Sequence, residues 1–145
     1  MKNLLIALFC ISSTFVFSQK IDNCSQLSSL INFNEIWNGF KFESESDSLI
    51  LVDRNGVIIK NCLNVRLIKH TVQVTHDSAL VIHAKKEVSS FYFHSPKYFV
   101  FDDFKQNGNQ YTFLIFQASS NEFVKCKVSK NKNQYRLLTF SRAAW

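Results

Sequence analysis

Three of the four histidines stand in one stretch, KHTVQVTHDSALVIH (residues 69–83), at positions 70, 76 and 83. Imidazole is the commonest metal ligand and the side chain that titrates nearest neutrality, so the spacing of the three decides what chemistry they could do. If the stretch forms two strands around Asp77-Ser78, all three rings share one face, with Val72 opposite His83 and His76 opposite Ala79. At ~3.3 Å per residue, His76 then lies ~13 Å along the strand from His83. Zinc holds its nitrogen ligands at ~2.1 Å, so three rings placed this way cannot close on one ion. His70 and His83, diagonal neighbours ~7 Å apart, are the residual metal pair, and Lys85 beside them repels a cation. The expectation is a half-buried hairpin, with no metal and no cofactor.

Other chemistry-bearing residues are spaced in ways that exclude the common catalytic motifs. His94 and Ser95 precede Asp102 and Asp103, but adjacent carboxylates on a strand point to opposite faces and do not make an acid/base pair. Glycine occurs only at 39, 56 and 108, which leaves no glycine-rich loop to cradle a phosphate. There is no CxxC, no HExxH helix and no nucleophile elbow. Binding is therefore expected, not catalysis.

Two stretches have the composition of binding surfaces. From Phe123 to Trp145 the chain carries Lys125, Lys127, Lys130, Lys132, Arg136 and Arg142 and no acidic residue. With a turn centred on Asn131-Lys132, Lys127 faces Arg136 and Lys125 faces Leu138. Like charges opposed across strands are destabilising, which makes Lys125, Lys127, Arg136 and Arg142 the candidates for an anionic partner, an acidic protein or anionic surface. The other stretch, FYFHSPKYFVFDDF, holds seven aromatics in fourteen residues. Phe91, Phe93, Phe99 and Phe101 are the candidates for the wall of an apolar ligand pocket, against the simpler reading of a strand buried on both sides.

The N-terminus MKNLLIALFCISSTFVFSQK has the pattern of a signal peptide: Lys2, an apolar run from Leu4 to Phe17, and small residues before a cut between Ser18 and Gln19. The expectation is an exported chain, periplasmic or extracellular, that does not span the membrane and has no nucleic-acid partner. Residues 19–145 then form one domain, and loss of Lys2 lowers the formal charge from +6 to +5. Export leaves Cys24, Cys62 and Cys126 in an oxidising compartment. In FVKCKVS, Cys126 shares a face with Val124 and Val128, so it is expected to be a buried free thiol and Cys24–Cys62 the disulfide.

The elements that must position these residues are one helix and many strands. NCSQLSSLINFNEIWNG places Leu27, Leu30, Ile31, Phe33 and Trp37 on one helical stripe, with Asn23 or Ser25 to cap it and Gly39 to end it. An acidic connector, Glu43–Asp47, follows. Thereafter β-branched and aromatic runs alternate with short polar turns, beginning at Asn55-Gly56, a strong hairpin signal. The fold class is mainly antiparallel β, a curved meander sheet, small barrel or sandwich of about eight to ten strands with one N-terminal helix. The alternative is α+β, with the helix packed across an open antiparallel sheet.

Overall fold

The computed structural model describes residues 19–42, 48–77, 80 and 96–144. The signal-peptide stretch, the acidic connector, His83, Phe91, Phe93, His94 and Ser95 lie outside these residues. Among the described residues, seven strands form a single curled sheet in the order β2-β3-β1-β4-β5-β6-β7. They are β1 (Leu49–Asp53), β2 (Asn64–Arg66), β3 (Thr71–Thr75), β4 (Tyr98–Asn107), β5 (Gln110–Gln117), β6 (Glu122–Asn131) and β7 (Gln134–Ala144). The mainly-β class with N-terminal helix holds, and the sheet is open at β2 and β7.

Two short helices replace the single helix expected. α1 (Cys24–Ile31) starts where Asn23 Oδ1 accepts the Gln26 amide at 2.8 Å, satisfying one of the free N–H groups of the first turn. It stops at Asn32, and α2 (Asn34–Trp37) follows after Phe33, whose backbone is extended (φ −114°, ψ 126°). The break frees the Asn32 side chain to accept the Ile68 amide at 2.9 Å. It also lets the Trp37 indole donate to the Ile31 carbonyl at 2.7 Å. Leu27, Leu30, Ile31, Ile36 and Trp37 are buried against one face of the sheet. That inner face presents Leu51, Val72, Phe99, Phe101, Phe113, Ile115, Val124 and Val128, and together they make the main core. The outer face has a smaller cluster of Val52, Val100 and Phe116, with Leu80 packed against it.

The N-terminal half departs from the all-antiparallel expectation. β1 pairs in parallel with β3 on one side and with β4 on the other. Asn55-Gly56 does turn, with Gly56 at φ +67°, but both edges of β1 are already occupied, so no hairpin forms. Instead the buried Asp53 carboxylate accepts the amides of Val57 at 3.1 Å and Ile58 at 2.8 Å, and Ile58 bridges to Ile21. The second expected hairpin is the one about Asp77-Ser78. β3 pairs with β2 and β1, and the second strand expected of that hairpin, from Ala79 onward, lies outside the described residues apart from Leu80. Residues 54–70, which include β2, join β1 to its parallel neighbour β3, a long connection of the kind parallel pairing requires.

From β4 onward the expected meander is present: β4–β5, β5–β6 and β6–β7 are antiparallel neighbours joined by short turns. Cys24 and Cys62 form the disulfide, with Cα atoms 5.2 Å apart. Closing a loop across 38 residues stabilises the fold by roughly 3–4 kcal/mol in the chain-entropy account. Cys126 is free and buried. No helix among the described residues is long and apolar enough to cross a membrane.

Candidate functional site

The histidines separate at once. His70 and His76 lie just beyond opposite ends of β3. The His70 ring is buried and packs on Phe42, with centroids 4.6 Å apart. His76 Nδ1 is 3.5 Å from Asp53 Oδ2. Among the described residues, no three His, Cys, Asp or Glu side chains come together closely enough to hold a metal ion. The carboxylates at 102 and 103 also part. Asp102 accepts from Arg54 at 2.8 Å and from Asn55 at 2.5 Å, whereas Asp103 pairs with Lys105 at 2.6 Å. Asp103 sits at φ +49° where the β4–β5 register shifts, and this irregularity brings Phe104 back to the core face.

Phe99 and Phe101 are completely buried, in the interior and not on an open wall. Phe101 stacks on Phe113 at 5.3 Å. Phe99 meets Trp37 at 5.3 Å, Phe40 at 5.0 Å and Phe42 at 6.1 Å. An aromatic pocket nevertheless opens on the far side of those three rings. It is a cavity of about 220 Å³ whose lining includes Phe33, Trp37, Phe40, Phe42 and His70. The aromatic lining comes from the segment around α2 and not from the strand residues Phe99 and Phe101 that were expected to provide it. Phe33 and Trp37 stand on the helical stripe that the sequence assigned to the core, and Phe40 and Phe42 follow the helix end expected at Gly39.

The basic hairpin differs from expectation in register. Its turn is Lys132-Asn133, with Asn131 paired to Gln134 and Lys132 at φ +54°. Arg136 therefore faces Ser129, not Lys127. A bulge at Leu138 then shifts the pairing again, so that Lys127 faces Thr139 and Lys125 faces Ser141. The structure resolves the expected like-charge pair by offsetting it diagonally. Lys125, Lys127 and Arg136 remain on the outer face, since the intervening Val124, Cys126 and Val128 are buried inward.

Arg142 does not join them. The bulge turns it to the inner side opposite Val124, where its guanidinium lies 4.4 Å from the centroid of Phe40 and donates to the Ile36 carbonyl at 3.0 Å. A Cβ on Gly39 would stand 3.0 Å from the Arg142 Cζ, so glycine is what lets this close approach occur. Arg142 fastens α2 to the last strand and is not part of an open basic surface.

Between the two outer lysines lies a groove of about 200 Å³ whose lining includes Thr112, Thr139 and Ser141. Among the described residues, the ion pairs are Arg54–Asp102, His76–Asp53 and Lys105–Asp103, and none involves Lys125, Lys127 or Arg136. Lys125 and Arg136 are exposed and Lys127 is half-buried. Three cations and three hydroxyls thus share one face of the sheet, and none of the three cations is in an ion pair among the described residues.

No protein-family model, curated protein or solved structure matches this chain. The functional reading therefore rests on the residues themselves.

Proposed function

We propose that this protein is an exported, non-enzymatic interaction module that binds an acidic protein segment through the outer face of β6 and β7. The observation that carries the reading is the trio Lys125, Lys127 and Arg136 on one face of β6 and β7, in no ion pair among the described residues, with Lys125 and Lys127 bordering a groove that Thr112, Thr139 and Ser141 help to line. Like charges held on one rigid sheet repel one another, and an anionic partner removes that repulsion. The groove between Lys125 and Lys127 suits a single carboxylate, with Thr112, Thr139 and Ser141 as neutral donors around it.

A titration with a fluorescent poly-glutamate peptide tests this. Affinity should fall steeply as salt rises from low to physiological and above, because exposed charges are screened over ~8–10 Å. The triple reversal Lys125→Glu, Lys127→Glu, Arg136→Glu should abolish binding. Binding that survives both the reversal and high salt sinks the electrostatic reading. Retention on anionic vesicles without affinity for the peptide replaces the acidic protein with a lipid surface.

A further inference from the structure

We propose a second, separate site: the aromatic pocket between α2 and the β2–β3 connection takes a small aromatic acid. The pocket lies on the opposite side of the sheet from Lys125 and Lys127, at the inner face covered by the helices. An apolar cavity of about 150 Å³ admits benzene, so about 220 Å³ here has room for a fused bicyclic ring. Its walls are rings set at different tilts: Phe42 and His70 meet at 33°, and Trp37 and Phe40 at 58°. Such an arrangement offers one ligand ring both faces and edges, the two geometries aromatic pairs prefer.

The back of the pocket is rigid. Trp37 is held by its indole bond to Ile31, and Phe40 is clamped beneath the Arg142 guanidinium. Phe99 supports Trp37, Phe40 and Phe42 from behind. A preformed wall lowers the ordering cost of binding.

The rim decides the ligand's polarity. Asn34, Asn38 and Lys69 stand exposed around the mouth, and Lys69 has no ion-pair partner among the described residues. Two amides and an ammonium all donate, which suits a carboxylate projecting from the ring. Ile68, also at the rim, is 66% exposed. A ring seated below it would cover part of that surface.

The test uses indole-3-acetate, indole and tryptamine as probes, followed by backbone amide shifts of isotope-labelled protein. Saturable shifts are expected in residues 32–42 and 67–70, strongest for indole-3-acetate and weakest for tryptamine. Lys69→Glu, an exposed change that leaves the core untouched, should weaken the acid by about three- to five-fold and leave indole unchanged. The charge reversal at Lys125, Lys127 and Arg136 should leave all three affinities as they are, which separates this site from the peptide surface. Absence of saturable shifts at millimolar probe overturns the pocket as a ligand site. Equal binding of the three probes, or indifference to Lys69→Glu, overturns the acid preference.

Discussion

Neighbouring residues on β4, β5 and β6 build two faces of opposite character. Inward, Phe99, Phe101, Phe113, Ile115, Val124, Cys126 and Val128 are nearly or wholly buried. Outward, the same strands begin with Val100 and Phe116 in a small apolar cluster, then pass to Thr112, Lys125 and Lys127. The inner face must satisfy shape and volume against α1 and α2, so each side chain there is constrained by many others. Along β6 and β7 the outer face is more open, with Lys125 and Arg136 exposed. Stability is carried by the inward residues and the proposed recognition by the outward ones, and each should be removable without the other.

The largest expected effect lies inside. Phe101→Ala removes a fully buried ring stacked on Phe113 and should cost about 3–5 kcal/mol, read as a lowered urea midpoint. A loss below about 1 kcal/mol would mean that the inner face is not the close-packed core described.

A smaller effect, graded with pH, belongs to Cys126. Burial pushes its thiol up to about 12, against a slight opposing pull from Arg142. The folded state therefore keeps its proton where the unfolded chain has lost it. This contribution to stability is fully present below the ordinary thiol value near 9 and is lost as pH rises towards 12. Stability should fall by up to ~1.4 kcal/mol per pH unit in that window. Burial also raises Tyr111, which adds a loss of the same sign at higher pH. Urea midpoints from pH 8 to 11 should decline less steeply for Cys126→Ala than for the parent; equal slopes would remove Cys126 from the account.

The smallest effect is the sharpest for the comparison. The triple reversal of Lys125, Lys127 and Arg136, expected to abolish peptide binding, should move stability by no more than about 0.5 kcal/mol. A large loss of stability would show that the outer face is also structural.

Much of this organisation was legible in short-range sequence patterns. A polar cap at the start of α1 (Asn23 or Ser25, of which Asn23 serves), the inward Cys126 and the meander from Tyr98 onward follow from local rules of spacing and turn chemistry. The Cys24–Cys62 disulfide followed from elimination once Cys126 was assigned to the core. The candidate site was half legible. Alternation placed Lys125 and Lys127 outward, but it could not foresee the slip of the turn to Lys132-Asn133 or the bulge at Leu138. A one-residue shift of pairing reverses which face a side chain joins, and this one took Arg142 from the presumed surface to the underside of α2.

What the sequence determined by itself is therefore what depends on a few adjacent residues: the cap of α1, the alternating faces of β6 and the cysteine left over. Only the tertiary structure decided the partners of β1, because a strand has two edges and its own residues do not say which distant segments will fill them. It likewise decided that Phe33, Trp37, Phe40 and Phe42 form a pocket with His70. Those rings gather because α1 breaks at Asn32 and the chain from β2 returns beside it. Contacts between segments far apart in the chain arise from packing that no local pattern records.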